Sequence, residues 1–308
     1  MKKKKGQAKR KFKLALKDWQ LYLMMVPAIL YIAVFAYKPM YGILIAFKNF
    51  SIKKGVWGSP WVGFDNFERL FNSYWFPVIM KNTLTLSGLT LILGFPIPII
   101  LALLLNEVKK PKFRSAVQTV SYAPHFISTV VMCGMLVLFL DPTNGFINKF
   151  LVMLGFEAVP FMQEPELFKW VYVLSGVWQT TGWNSIIYFA ALSSVDKALL
   201  EAAEIDGATR MQRIWHINLP EIIPTIMITL ILRCGQLLSV GYEKVYLLQN
   251  ATNLSGSEII STYVYKVGLE NSDFAFSTAT SLFNTVINVI ILVSANQISK
   301  KVTKSGLF

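Results

Sequence analysis

The stretch Glu201-Ala202-Ala203-Glu204-Ile205-Asp206-Gly207 is followed after nine residues by Ile217-Asn218-Leu219-Pro220. It is a polar interruption between two strongly apolar segments. The alanines favour helix, Gly207 permits a tight bend, and Pro220 suits the first turn of a following helix. The stretch therefore predicts two short helices joined at a glycine, which together form a small helical knob.

Apolar segments extend outward from this knob over most of the chain. Of the 308 residues, 54% are hydrophobic and only 15% are charged, a balance typical of a protein that crosses the membrane several times. Each apolar segment has about 19 to 26 residues, enough to cross a hydrocarbon core of roughly 30 Å as a helix. We therefore predict an all-α polytopic membrane protein with six transmembrane helices, at about 19–37, 82–105, 115–140, 169–193, 221–240 and 275–298.

The distribution of positive charge predicts the orientation of these helices. The net charge of +13 lies in tails and short loops, which argues against a nucleic-acid-binding face. The loops and tails on the side of the knob carry 19 Lys or Arg, against seven on the opposite side. The positive-inside rule places both termini and the knob in the cytoplasm. The predicted domains are a basic tail at 1–18, a six-helix transmembrane domain at 19–298 with the knob segment at 194–220, and a second tail at 299–308.

The basic tail at 1–18 has two interpretations. Phe12, Leu14 and Leu16 interleave with nine Lys or Arg, as in a helix that lies on an anionic leaflet. A solvated tail without regular structure fits the same composition. Both interpretations keep the segment in the cytoplasm.

Several polar or amphipathic residues fall within the predicted spans, where they need to face protein or water. The aromatic and amide groups of the fourth span suit contact with a sugar ring, or else helix-to-helix hydrogen bonds. The arginine of the fifth span suits either an ion pair with a neighbouring helix or a water-filled cavity. The candidate residues for a substrate pathway are Trp178, Gln179, Trp183, Arg233, Gln236, Asn284 and Asn288.

No residue pattern indicates catalysis or a cofactor. Neither His125 nor His216 has a carboxylate or cysteine at metal-ligand spacing, and Cys133 and Cys234 lie within apolar segments as small hydrophobic residues do. A glycine-rich phosphate loop is also missing from the sequence. We therefore expect no metal, no cofactor and no enzymatic activity in this chain. A helix at 255–268, outside the membrane, is expected to pack at the interface or against a partner.

The knob resembles the EAA pattern of binding-protein-dependent ABC importer permeases: Glu-Ala-Ala, three residues, Gly, nine residues, then Ile-x-Leu-Pro. In that family the knob is a coupling helix that inserts into a cleft of a separate ATPase. The resemblance implies this role for Glu201, Ala202, Ala203, Glu204, Asp206, Gly207, Ala208, Thr209, Leu219 and Pro220.

The amino-terminal part, with Tyr37-Lys38-Pro39-Met40-Tyr41-Gly42 and Ile45-Ala46-Phe47-Lys48-Asn49-Phe50, resembles the carbohydrate branch of these permeases, and more narrowly the LplB-like group. The resemblance implies a type I, MetI-like fold in a bacterial plasma membrane. It also implies a second permease subunit, two ATPase subunits that bind ATP and magnesium, and an extracytoplasmic binding protein. Uptake of an oligosaccharide or polysaccharide fragment by alternating access would follow.

Three other functions compete with this interpretation. An ion-coupled secondary transporter needs carboxylates within the membrane, whereas the acidic residues lie in tails, loops or span ends. A permease of the same superfamily for peptides or amino acids is distinguished only by the aromatic and amide groups of the fourth span. A structural membrane scaffold has no need of the EAA spacing.

Overall fold

The computed structural model describes residues 19–303 and residue 306, so the basic tail predicted at 1–18 lies outside the described residues. Between residues 19 and 303 the chain is helical, and its only β pairing is an isolated bridge between Lys48 and Trp61. The α-helical segments of this part are α1 (Trp19–Ile32), α2 (Gly55–Gly58), α3 (Asp65–Phe71), α4 (Trp75–Gly94), α5 (Pro96–Asn106), α6 (Pro111–Tyr122), α7 (Thr129–Phe139), α8 (Phe146–Met153), α9 (Pro165–Leu192), α10 (Lys197–Ile205), α11 (Arg210–Arg213), α12 (Leu219–Cys234), α13 (Tyr242–Leu248), α14 (Leu254–Ser257), α15 (Ile260–Tyr265) and α16 (Phe274–Thr303).

Four continuous helical stretches of the described chain are long and apolar enough to cross a membrane: Trp19–Phe47, Trp75–Asn106, Arg210–Cys234 and Phe274–Lys301. They have 29, 32, 25 and 28 residues, so each exceeds the roughly 20 that a bilayer requires. The first stretch has a π-helical turn at Ala33–Tyr37. It then continues beyond its predicted end at residue 37 as a 3₁₀ helix, Lys38–Phe47. The last continues through Thr303, so the segment predicted as a tail from 299 begins as helix.

The third predicted span, at 115–140, is not one helix. α6 and α7 meet at an angle of 96°. Pro124 lies in the 3₁₀ turn that ends α6, and Ser128 caps α7 by accepting a hydrogen bond from the Val131 amide at 3.3 Å. With 12 and 11 residues, each arm alone is too short to cross the bilayer. The described residues thus hold four candidate spans, or five if the bent pair counts as one.

The long helix α9 is the centre of the bundle. It packs against α4, α5, α6, α12 and α14. One buried cluster lies near its first half, around Phe168, Tyr172 and Val173, and another lies near its end, around Tyr188 and Leu192. Although α9 has 28 residues, its polar residues keep it out of the apolar candidate spans.

The connection between α12 and α16 also differs from the single helix predicted at 255–268. α14 and α15 are separated at Glu258 and Ile259. The Asn82 amide of α4 donates to the carbonyls of Ser255 and Glu258, at 2.9 and 3.0 Å, and the Ile260 amide donates to Thr83 Oγ1 at 3.1 Å. These side chains take the backbone groups that a continuous helix would pair internally, so the break is stable.

Candidate functional site

The knob has the two short helices joined at a glycine that the sequence predicts. α10 begins at a cap in which Asp196 accepts from the Ala198 amide at 2.9 Å, and it ends before Gly207. Gly207 has φ +80°, in the left-handed region, and an added Cβ would meet no atom within 4 Å. The bend therefore needs a positive φ, not a close approach to this chain. Thr209 and Gln212 then form a capping box that starts α11.

Most of the predicted coupling residues are accessible on the surface of the knob. Glu201, Ala202, Glu204, Asp206 and Gly207 are exposed, while Ala203 and Ala208 are partly buried. Leu219 and Pro220 lie apart from this surface, in the first turn of α12. A groove of about 320 Å³ beside the bend is lined by Ala203, Asp206, Gly207, Ala208, Gln212, Arg213, His216 and Ile217. The knob thus offers a groove and an exposed bend to a partner.

Two large apolar side chains flank this bend in the open. Ile205 is 86% exposed and Met211 is 59% exposed. On a segment otherwise rich in charge, such exposure is what a binding surface shows before its partner covers it.

Apart from the groove on the knob, a cavity of about 320 Å³ lies within the bundle beside α9. Its polar lining includes three of the predicted pathway residues, Gln179, Arg233 and Gln236. α12 ends at Cys234, so Gln236 lies in the following turn, where its backbone N–H donates to the Arg233 carbonyl at 3.1 Å. Further hydroxyl, amide and ammonium groups come from Ser87, Thr90, Thr129, Thr180, Asn184, Ser239 and Lys244.

Lys244 is the charged residue of this cavity that the sequence analysis did not single out. Its ammonium donates to the Tyr172 carbonyl at 2.7 Å and lies 4.6 Å from the centre of the Tyr172 ring. Burial lowers the pKa of Lys244 to about 8, and the nearby Cys133 opposes this shift. Within the described part of the chain no carboxylate lies within 4.0 Å of Lys244 or Arg233. The cavity therefore carries two cations without an acidic partner.

The other predicted pathway residues are not among those that line this cavity. Trp183 stacks on His125 with ring centres 4.3 Å apart, and Trp178 lines an apolar groove of about 540 Å³ between α6 and α9. Asn288 accepts from the Leu238 amide at 3.0 Å and donates to Ser239 Oγ at 3.1 Å, so it fastens α16 to the turn after α12. Asn284 Oδ1 is buried without a hydrogen-bond partner among the described residues.

Gln179 makes a hydrogen bond between helical segments and also lines the cavity. Its amide donates to the Ile127 carbonyl at 2.9 Å, at the break between α6 and α7, while its side chain also lines the cavity. The cavity wall and the broken helix are therefore connected through one side chain.

Comparisons with known proteins agree on one family. The family described as "Binding-protein-dependent transport system inner membrane component" matches residues 94–304. Protein LplB of Bacillus subtilis strain 168 is 43% identical over 292 residues, which cover 95% of this chain and 92% of the relative. The polygalacturonan/rhamnogalacturonan transport system permease protein YteP of the same strain is 43% identical over 305 residues, covering 99% and 95%.

A solved structure extends this agreement to three dimensions. One chain of a bacterial alginate ABC transporter, in complex with an alginate pentasaccharide-bound periplasmic protein, superimposes with a TM-score of 0.89. It is 44% identical, and the match covers 96% of this chain and 99% of that chain. The family matches more than half of the chain, and the relatives match nearly all of it. The protein therefore belongs to the family of binding-protein-dependent transport system inner membrane components, and it is a membrane-embedded transport subunit, not an enzyme.

Proposed function

We propose that this chain is one of two permease subunits that enclose the pathway of an ATP-driven oligosaccharide importer, and that the sugar passes along the cavity beside α9. The cavity lining is the observation that carries the proposal. Hydroxyl and amide groups inside a membrane bundle are unfavourable unless they face protein or water. Thr180, Asn184 and Gln236 are such groups, and they offer donors and acceptors to sugar hydroxyls.

The substrate that fits the cavity best is an acidic oligosaccharide. Arg233 and Lys244 contribute two positive charges, and no carboxylate of the described residues neutralises them. One relative is named for polygalacturonan and rhamnogalacturonan transport, and a solved relative imports alginate, an acidic polysaccharide. Uronate carboxylates would form hydrogen-bonded ion pairs with these cations, which a neutral sugar cannot do.

The energy for transport comes, in this proposal, from ATP and magnesium bound by a separate ATPase that docks on the knob. The exposed bend at Gly207, the apolar Ile205 and Met211 beside it, and the adjacent groove support this role. ATP-driven closure of the ATPase subunits would move the knob, and through it the helices around the cavity. Alternating access would follow from that movement.

For topology, we propose six spans with both termini in the cytoplasm. α6 and α7 together make one broken span, and α9 makes another, since its 28 residues extend about 42 Å. Irregular backbone at membrane depth is stable where protein buries it or where it lines a cavity. Ile127 and Thr129 lie at such a place, because Gln179 holds the Ile127 carbonyl and Thr129 lines the cavity. The binding protein would meet the opposite face from the knob.

Uptake into liposomes that contain the purified transporter tests this proposal. The assay compares a galacturonate trimer with the neutral galactose trimer, with and without ATP. We expect ATP-dependent uptake of the acidic trimer. Arg233→Gln and Lys244→Met should each lower it about tenfold, equivalent to ~1.4 kcal/mol. Lys53→Met, at an exposed residue outside the cavity, is the matched control.

Two results would contradict different parts of the proposal. Uptake that follows an ion gradient and ignores ATP would exclude the ATP-driven mechanism. Equal effects of the cavity variants on the acidic and neutral trimers would exclude the acidic substrate, but not the pathway.

A further inference from the structure

Glu107 is the C-cap residue of α5, directly after Asn106, on the side of the bundle where the knob lies. Both of its carboxylate oxygens receive hydrogen bonds from the second helix of the knob and the turn that follows it. Arg213 Nη2 donates to Oε2 at 3.2 Å, and Asn218 Nδ2 donates to Oε1 at 3.0 Å. These partners are more than 100 residues away in the sequence, so Glu107 joins two distant parts of the chain.

Burial separates this contact from an ordinary surface ion pair. The side chains of Arg213 and Glu107 are only 10% and 14% exposed, and Asn218 is fully buried. Removing one partner of such a pair leaves a charge without compensation, whereas exposed pairs contribute little. Beneath the pair, Ile99, Ala102 and Leu103 of α5 belong to the same apolar cluster as Ile214 and Ile222.

The ion pair also reaches the first helix of the knob. Arg213 Nη1 lies 3.9 Å from Glu204 Oε1, and Lys109 donates to the same oxygen at 3.3 Å. Glu204 and Lys109 are 59% and 68% exposed, so these outer contacts are weak. They nevertheless show that Arg213 lies between the exposed helix α10 and the buried Glu107.

The two parts of the chain that Glu107 joins both reach the cavity beside α9. α5 follows α4 after Phe95, and Leu91, Gly94 and Phe95 at that junction line the cavity. On the other side, Asn218 immediately precedes α12, which carries Arg233 to the cavity. A movement of the knob can therefore reach two walls of the cavity, provided that Glu107 holds α5 to Arg213 and Asn218.

We propose that Glu107 is a positioning residue that clamps the knob to the second span, so that ATPase movement is converted into movement of the cavity wall. This inference rests on the proposed function. Without the clamp, the knob still docks on the ATPase and follows it. α5 no longer follows the knob, and ATP is hydrolysed with little transport.

The number of sugar molecules taken up per ATP hydrolysed tests this inference, because an anchor that serves folding alone would not change that ratio. The complete transporter, with its partner permease, ATPase and binding protein, is reconstituted in liposomes and supplied with galacturonate trimer. Glu107→Ala and Glu107→Gln are compared with Lys109→Ala, which removes only an exposed contact nearby. The amount of ATPase that copurifies and the melting temperature are measured on the same samples.

We expect Glu107→Ala to lower the ratio at least about fivefold while ATPase assembly persists, and Lys109→Ala to leave it unchanged. Glu107→Gln keeps the size and one acceptor oxygen, so it should fold and show an intermediate ratio. The double variant Glu107→Arg/Arg213→Glu should recover part of the loss.

Three outcomes would overturn the clamp. A normal ratio in Glu107→Ala and Glu107→Gln excludes it. Loss of transport, assembly and melting temperature in parallel, in both variants, makes the contact an anchor for folding only. If the unmodified transporter itself shows no ATP-driven uptake, the proposed function fails first and the clamp fails with it.

Discussion

At the scale of single residues, the proposed role of Lys244 in binding an acidic sugar opposes its effect on stability. Its ammonium is buried without an acidic partner among the described residues, and the titratable groups packed beside it are Tyr172 and Cys133. Burial lowers the pKa of Lys244 from 10.5 to about 8, which means that the folded state binds the proton less well than the unfolded state. Between these two values the unfolded state holds more protons, so the free energy of unfolding increases as pH rises.

The prediction is that Lys244→Met raises the melting temperature at pH 7 while it weakens uptake of an acidic sugar. The advantage of Lys244→Met over the unmodified protein should shrink as pH rises from about 8 toward 10.5, where the ammonium becomes neutral. Melting curves of both proteins at pH 7 and pH 9.5 measure this. A lower melting temperature for Lys244→Met at pH 7 would mean that the buried ammonium stabilises the fold.

Gly207 allows an equally specific prediction. A side chain there has space but must adopt φ +80°, which disfavours most residues by about 1–2 kcal/mol, while Asn tolerates it. Gly207→Leu should therefore reorient the bend and abolish coupled uptake, and Gly207→Asn should keep much of it. Membrane insertion should be normal in both. Uptake and ATPase copurification are the measurements, and normal uptake by Gly207→Leu would exclude the bend as the docking site.

The sequence predicted the local structure of the knob better than the lining of the cavity. Glu201 to Pro220 are close in sequence, and their spacing alone indicates two helices and a glycine bend. The partner of Arg213 is Glu107, and nothing in the sequence pairs residues so far apart. The one available signal of this pair is that Glu107 is the single acidic residue in the otherwise basic loop 107–114. The sequence places Lys244 in a loop between two predicted spans. Its burial could not be predicted, because it depends on packing against Tyr172 of α9.

At the scale of secondary structure, the contact between α6 and α9 depends on one small residue. A Cβ on Gly182 would overlap the backbone carbonyl of Ser121. Gly88, in the middle of α4, has nothing within 4 Å of the same position, so it is a matched control. Gly182→Ala should separate the two helices and lower the melting temperature, whereas Gly88→Ala should have little effect or stabilise α4. Equal stability of the two variants would show that α6 and α9 do not need this close contact.

Helix breaks were the features that the sequence predicted least well. The apolar run at 115–140 was predicted as one helix, and Pro124 is the one residue of the run that could have indicated the 96° bend. The bend is stabilised by Gln179, which holds the Ile127 carbonyl, and by the Ser128 cap. The chemistry of the tryptophans left both sugar contact and helix-to-helix packing open. In the structure, Trp183 stacks on His125 and Trp178 lines an apolar groove. Hydrophobicity predicts where a span lies, but helix packing determines which of its faces lines a cavity and which contacts a neighbouring helix.

For the whole molecule, the proposed orientation predicts which cysteines can be labelled from each side. Cysteine at Ser194 should react only with reagent in the cytoplasm, and cysteine at Lys53 only with reagent outside. Both positions are exposed, whereas Ser59 of the same outer loop is buried and unsuitable. Cys133 and Cys234 are first replaced by serine to remove background. The reverse pattern would place the knob outside the cell and exclude its contact with an ATPase.

In the proposed mechanism, the cavity beside α9 holds the sugar during transport while an ATPase holds the knob. A structure of the assembled transporter, with ATP bound and galacturonate trimer enclosed, tests both halves in one measurement. We predict that the trimer contacts Gln179, Arg233 or Lys244, and that the ATPase covers Ile205 and Met211. A trimer held only by the partner permease, or by the apolar groove at Trp178, would show that the cavity beside α9 does not hold the sugar.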